Sequence, residues 1–273
     1  MKGKQPMDLN RIQQTAIAIA HEAGKLIREN FPRAVRPFDL KGDVNPVTEV
    51  DWAAERLILD RLRAAFPDHR ILAEEGGGDS WADPGPPIWL VDPLDGTNNF
   101  AHGFPHVAVS LGLVADGEPL VGVIYDPLRD ETFTAIAGGG ATLNGEPIHV
   151  SSVPDLADAF LATGFPYDRR TAVDNNVERM GHFIRRALGV RRAGAATLDL
   201  AYVACGRLDG FWEIGLAPWD VAAGILLVRE AGGRVTDFDG TPNCLSGKTI
   251  VASNGLIHDQ MLEVVRIPIR GLI

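Results

Sequence analysis

A chain of 273 residues, 45% hydrophobic and 23% charged, has room for one large domain or two joined halves and is not mainly disordered. Lys plus Arg number 26 against 36 Asp plus Glu, a formal net charge of −10, which argues against nucleic acid as a default partner because phosphate contacts need local positive charge. Cys205 and Cys244 make no disulfide framework, no apolar run follows the lysines of Met1-Lys-Gly-Lys-Gln-Pro6, and the apolar stretch 107–115 is far below the ~18 residues of a membrane span. These features predict a protein of a reduced, cytoplasmic compartment with no membrane association.

The first element is a helix over 9–30, with Leu9, Ile12, Ala16, Ile19, Ala20, Ala23, Leu26 and Ile27 at helical spacing, Asp8 as cap and Pro32 as stop. A second helix starts at Thr48, where Thr48-Glu49-Val50-Asp51 fits a capping box, and ends before Pro67. Short apolar strands follow at 71–73, running into Glu74-Glu75, and at 88–91, running into Asp92. Segments 107–115, 120–125 and 131–137 alternate with Gly, Asp and Pro turns like an antiparallel meander. Beyond about residue 153 strands and helices alternate: strand 160–163, helix 173–188, helix 198–204, strand 210–214, helix 218–231 with Pro218 in its first turn, strand 249–252 and helix 255–266. The pattern is α/β or α+β, with a soft boundary dividing 1–152 from 153–273 inside a single compact unit.

Acidic residues at the ends of apolar strands carry the chemistry. In Val91-Asp92-Pro93-Leu94-Asp95-Gly96-Thr97 a buried strand ends at Asp92, Pro93 stops the ladder, and Asp95 follows in a turn allowed by Gly96. Two such carboxylates ~4 Å apart repel by about 4 kcal/mol at an effective dielectric near 20, and a hard divalent cation removes that penalty. Oxygen-only ligands favour Mg²⁺, Mn²⁺ or Ca²⁺ over zinc. The same residues also make an ordinary solvated Asp-Pro turn. Glu74-Glu75, Asp51 and Asp220 are each equally explicable alone, as an acidic turn, half of a helix cap and a first-turn aspartate.

Order and spacing tie these segments together. Trp89-Leu-Val-Asp-Pro-Leu-Asp-Gly-Thr-Asn-Asn-Phe100 resembles the first signature of the inositol monophosphatase family of metal-dependent phosphatases, and Trp219-Asp-Val-Ala-Ala-Gly224 with Glu230-Ala-Gly-Gly233 resembles its second. Asn45-Pro-Val-Thr-Glu-Val-Asp51, Ala73-Glu-Glu75, the stretch 194–204 and Gly206-Arg-Leu-Asp-Gly-Phe-Trp-Glu213 are similar to further family segments, so the resemblance spans about 9–265. It implies a layered αβαβα sandwich of the inositol monophosphatase and fructose-1,6-bisphosphatase type. It implies two to three Mg²⁺ ions: Glu74, Asp92 and the Leu94 carbonyl at the first, Asp92, Asp95 and Asp220 at the second, and Glu74 with water at a third. The N-terminal half carries most of these ligands, and the C-terminal half carries Glu213 and Asp220. The amides of Gly96 and Thr97 would receive the phosphate. Thr97, oriented by Asp51, and Glu74 would activate water. Asp95, Ala196, Glu213 and Asp220 would face the polyol, and Lys41 belongs to a loop closing over the metals.

The implied reaction is hydrolysis of inositol-1-phosphate, with Li⁺ inhibition and a homodimer. Fructose-1,6-bisphosphate, histidinol phosphate and 3′-phosphoadenosine 5′-phosphate are the alternative substrates. Phosphate monoesters are so inert that enzymes supply up to ~10²¹-fold acceleration, and an acidic pocket would repel them unless cations reverse its sign.

Weaker signals read as structural. Gly247-Lys248-Thr249 lacks the first glycine of a phosphate loop, which is Pro242 here, and Ser110 lacks the first glycine of a nucleophile elbow. His102 and His106 are read as loop residues. Arg185, Arg186, Arg191 and Arg192 are read as a solvated helix end, with a contact to a partner or within a dimer as the alternative.

Overall fold

The computed structural model describes residues 7–31, 39–41 and 45–269. In chain order it holds α1 (Leu9–Asn30), β1 (Asp39–Lys41), β2 (Asn45–Val47), α2 (Glu49–Ala65), β3 (Arg70–Ala73), β4 (Gly77–Gly78), β5 (Ile88–Asp95), α3 (Thr97–His102), β6 (Ala108–Ala115), β7 (Glu118–Asp126), β8 (Glu131–Ile136), β9 (Gly140–Leu143) and β10 (Glu146–Pro147). After a 3-10 turn at Leu156–Asp158 come β11 (Phe160–Thr163), α4 (Val177–Ile184), β12 (Gly189–Arg191), α5 (Ala196–Ala204), β13 (Gly210–Ile214), α6 (Pro218–Glu230), β14 (Arg234–Thr236), β15 (Thr249–Ser253) and α7 (His258–Val265).

Local chemistry sets the helix starts. The Asp8 carboxylate accepts the Arg11 amide at 3.0 Å. Thr48 and Asp51 complete the capping box, with the Thr48 amide donating to Asp51 Oδ2 at 2.8 Å. Two departures from the sequence reading have clear causes. The helix expected over 173–188 is confined to α4 because Asn176 adopts φ 69° at its cap. Its buried amide donates to Thr163 Oγ1 and the Gly164 carbonyl while accepting from Trp212 Nε1, so it ties the loop to the sheet. Strand β5 also does not stop at Pro93. It runs on to Asp95 through a register shift between Asp92 and Asp95 opposite β6, and a bulge is where a strand accommodates proline.

The strands form an eight-stranded sheet in the order β10-β9-β8-β7-β6-β5-β3-β4 and a five-stranded sheet in the order β12-β11-β13-β15-β14. The first is antiparallel except where β3 runs parallel to β5; in the second, β11 runs parallel to both β12 and β13. Helices α1 and α2 cover one face of the larger sheet, α5 and α6 lie between the sheets, and α4 and α7 cover the outer face of the smaller one, giving an αβαβα sandwich. Three apolar clusters match this layering: Ile12, Ile58 and Trp89 belong to the first, Leu198, Val221 and Phe211 to the middle one, and Phe183, Trp212 and Met261 to the outer one. Among the described residues no helix is long and apolar enough to cross a membrane.

Helix α6 sits close to the larger sheet. A Cβ on Gly112 would meet the Ala222 Cβ at 2.8 Å, and one on Gly122 would meet the Ala223 carbonyl oxygen at 2.9 Å. Valine suits a strand, so Gly122→Val isolates the steric conflict with the helix; we expect a loss of about 1–3 kcal/mol, read as a lower urea midpoint at unchanged slope.

A second stability term is acid-sensitive. His258 is fully buried, its Nε2 and Nδ1 each 2.9 Å from the hydroxyls of Thr236 and Ser253, tying β14, β15 and α7 together. Burial first, with Arg234 adding and Asp259 opposing, pushes its pKa down to about 4. A base depressed in the fold favours folding fully above its ordinary value near 6.5, and this contribution is lost as pH falls through about 4. Stability should therefore drop on acidification from pH 7 to 4 with a limiting slope of about 1.4 kcal/mol per pH unit from this group. His258→Gln should remove that share of the slope in urea melts taken across the range.

Candidate active site

The carboxyl ends of β3, β5 and β13 meet the starts of α3, α5 and α6 around one cavity of about 310 Å³. It is lined by Glu74, Asp92, Leu94, Asp95, Gly96, Thr97, Ala196, Glu213 and Asp220, so residues from both sheets share it. Of the other residues singled out in the sequence, Asp51 reaches the cavity through Thr97, whose Oγ1 lies 2.8 Å from Asp51 Oδ1. Lys41 ends β1; its side chain and residues 42–44 lie outside the described residues.

Each acid is placed by main-chain geometry. The Glu74 amide donates to the Val91 carbonyl at 3.2 Å, and the following turn is held by the buried Glu55, whose Oε2 accepts the Glu75 amide at 2.7 Å. Asp92, 1% exposed, accepts the Leu94 amide at 3.0 Å across the bulge. Asp95 reaches across to the start of α5 and accepts the Thr197 amide at 2.8 Å and its hydroxyl at 2.5 Å. Asp220, in the first turn of α6, turns back to accept the Ala217 amide at 2.7 Å. Helix starts carry positive partial charge, so two of the four acids sit where a carboxylate is best tolerated. Gly96 holds φ 88°, and a Cβ there would lie 2.8 Å from the His106 carbonyl oxygen, so glycine is required at the turn into α3.

Crowding shows in the acidities. Burial first, then the charges of Glu74, Asp95 and Asp220, push the Asp92 carboxyl well above the ordinary carboxylate range. Burial raises Asp220 to about 7 against the pull of the Ala217 amide, with Asp95 adding to the rise. Burial also raises Asp95, opposed by Thr197, and Asp51, opposed by Thr48 and Thr97. Burial and then Asp199 and Asp220 push Glu213, on β13, well up.

Among the described residues no three His, Cys, Asp or Glu side chains stand in ion-holding geometry as placed. Asp92, Asp95 and Asp220 each have one oxygen engaged by a main-chain amide. The donor chemistry nonetheless fits one class of ion: buried carboxylates that raise one another's pKa, oxygen-only and without sulfur or imidazole at that end of the cavity, suit a hard divalent cation.

Several cavity residues escaped the sequence reading. Asp199 and Arg192 stand beside Glu213, and Tyr167 and Arg169 also line the space. Helix α5 reads as apolar, which hides Asp199 within it. The arginine run is divided: Arg192 belongs to the cavity, whereas Arg191 lies over the Phe160 ring at 4.5 Å and Arg186 donates to the His182 carbonyl. His106 is a loop residue as expected, but it is buried, with Nε2 3.9 Å from Asp199 Oδ1. Gly247 pairs with Leu216 in the loop before α6, and Ser110 is a buried sheet residue donating toward the Trp219 carbonyl.

The chain is similar to proteins of one family. The sequence model of the inositol monophosphatase family matches residues 8–269. The chain is 49% identical over 219 residues to inositol-1-monophosphatase of Synechocystis sp., covering 80% of this chain and 76% of that one. It is 46% identical over 253 residues to the Nus factor SuhB of Escherichia coli strain K12, covering 92% and 94%. The solved inositol monophosphatase from Anabaena (Nostoc) sp. PCC 7120 superposes with a TM-score of 0.87 at 43% identity, covering 97% of this chain and 99% of that chain. A family match over residues 8–269, together with a shared fold, leaves one assignment: this chain belongs to the inositol monophosphatase family and is a phosphoric monoester hydrolase.

Proposed function

We propose that this enzyme hydrolyses inositol-1-phosphate to inositol and phosphate with Mg²⁺. The observation that carries the reading is one cavity bounded at one end by Glu74, Asp92, Asp95 and Asp220, with the Thr97–Asp51 hydrogen bond beside them, and at the other by Glu213. Glu74, Asp92, the Leu94 carbonyl, Asp95 and Asp220 would hold two to three Mg²⁺ ions, which when bound supply neutralisation of the phosphate charge and a lower pKa for the attacking water. The amides of Gly96 and Thr97, at the mouth of α3, would take phosphate oxygens. Thr97 Oγ1 donates to Asp51 Oδ1 at 2.8 Å, which leaves its lone pairs to accept a hydrogen bond from the attacking water. Asp51 is 1% exposed and pinned by the Thr48 amide and hydroxyl, so it orients Thr97. Glu74 is the base that takes the water proton. Asp95, Ala196, Glu213 and Asp220 meet the polyol hydroxyls.

Li⁺ inhibition, the cytoplasmic setting and a homodimer belong to the same reading. The substrate assignment favours inositol-1-phosphate because the relative from Synechocystis is named for it, and because 97–100 and 194–213 resemble that branch of the family.

Asp92→Asn keeps the shape of the side chain and removes its charge. We expect kcat on inositol-1-phosphate to fall at least ~10³-fold, equivalent to the several kcal/mol that metal-assisted charge stabilisation supplies. We also expect Mg²⁺ to raise the melting temperature of the wild type but not of Asp92→Asn or Asp220→Asn, since an ion stabilises only the fold that binds it. A wild-type rate in purified Asp92→Asn would sink the site assignment.

Thr97→Val is isosteric and lacks the hydroxyl; kcat should fall ~10²- to 10⁴-fold. Comparing kcat/KM for inositol-1-phosphate, fructose-1,6-bisphosphate, histidinol phosphate and 3′-phosphoadenosine 5′-phosphate at matched Mg²⁺ tests the substrate, and a higher value for any of the last three replaces it.

A further inference from the structure

Helix α5 brings a further acidic group with an unusual partner to the cavity. Asp199, on α5, lines the cavity while only 2% of the residue is exposed. His106, from the loop between α3 and β6, is 6% exposed, and its Nε2 has no hydrogen-bond partner. That nitrogen lies 3.9 Å from Asp199 Oδ1, longer than a hydrogen bond but within reach of a small side-chain rotation. A buried nitrogen left without a partner is costly, so such a group is rarely kept unless a partner arrives.

His106 is otherwise well held. Its carbonyl accepts the Asn99 amide at 2.8 Å, the same amide group donates to the Ala193 carbonyl at 2.9 Å, and its ring meets Tyr202 edge-on at 5.9 Å. The backbone at His106 is therefore anchored and its ring packed, with Nε2 on the Asp199 side. Asp95, Glu213 and Arg192 are the other charged groups near Asp199. A carboxylate accepts on both oxygens, so it can take a donor from His106 on one and a hydroxyl from the cavity on the other.

We propose that Asp199 is a specificity-determining acceptor for a substrate hydroxyl and that His106 is the positioning residue that holds it. The inference rests on the reading that the cavity takes a phosphorylated polyol. Asp199 then discriminates between leaving groups that carry a hydroxyl at that wall and those that do not, because a site built to bind a hydroxyl leaves a buried group unpaired when the hydroxyl is missing.

Two substrates separate the roles: inositol-1-phosphate, and p-nitrophenyl phosphate, whose leaving group has no further hydroxyl. Asp199→Ala should lower kcat/KM for the first roughly 10- to 100-fold more than for the second, the range of a hydrogen bond to a charged group. Asp199→Leu, which nearly preserves volume and has no acceptor, carries the same comparison if alanine lowers the melting temperature. His106→Phe, which keeps the ring packing and cannot donate, should raise KM for inositol-1-phosphate more than it lowers kcat, and His106→Gln, which keeps a donor, should restore most of the loss. The double variant Asp199→Ala/His106→Phe should be no worse than Asp199→Ala alone. Equal losses on both substrates, no loss on either, or additive losses in the double variant would overturn the inference while leaving the phosphatase reading intact. A wild type that hydrolyses neither substrate with Mg²⁺ would overturn the phosphatase reading and this inference with it.

Discussion

The structure is organised around the cost of gathering like charges out of water. Glu74, Asp92, Asp95 and Asp220 border one cavity, and Asp92 is all but inaccessible to solvent. At ~4 Å two such charges repel by about 4 kcal/mol even at an effective dielectric of 20. The fold offsets this with donors that no rotamer can withdraw. Main-chain amides of Leu94, Thr197 and Ala217 each hold one carboxylate, and the starts of α5 and α6 supply the positive ends of helices. What they do not offset stays visible as raised acidities, and that residual repulsion is what a divalent cation relieves.

This explains why α5 and α6 occupy the layer between the sheets. Strand ends bring Glu74, Asp92 and Asp95 to one edge of the larger sheet, but Asp220 and the Thr197 amide must come from helices that begin at that same edge. Close approach makes this possible: Gly112 and Gly122 let α6 settle against the strands at Ala222 and Ala223, and Gly224 meets Leu200 of α5. The small-residue surface of α6 is therefore a means of aiming its first turn, and the packing of the middle layer and the placement of Asp220 are one constraint.

The parts of the molecule legible in the sequence were those whose local pattern and role coincide. The capping box at Thr48-Asp51, the strand running into Asp92, and Pro218 opening α6 are short-range signals, and each appears in the structure where it was read. Pro93 was read as a stop because a bulge depends on the facing strand, which the local sequence does not contain. Asn176 shortened α4 because its amide has partners 12, 13 and 36 residues away, and these outweigh helical periodicity. Asp199 and His106 could not be paired from sequence, since they lie 93 positions apart and one of them is hidden in an apolar helix. Short-range chemistry is readable in one dimension, whereas a buried polar pair exists only after the chain has closed.

The cavity's two ends are built differently, and this bears on how one chemistry serves different leaving groups. The acids Glu74, Asp92, Asp95 and Asp220 rest on the carboxyl ends of β3 and β5 and on helix starts, where a shift of any residue disturbs several main-chain bonds at once. The rest of the lining includes single side chains from β13, α5 and the loops around 164–169 and 192–194: Glu213, Asp199, Arg169 and Arg192. Side chains on such a wall can change without moving the amides that hold Asp92, Asp95 and Asp220. The ends are nonetheless joined, because Asp95 caps α5, the helix that carries Asp199, and Asn99 ties α3 to both His106 and Ala193. Those lining side chains can therefore vary, while the backbone of α5 and of the loop before it stays tied to Asp95 and Asn99.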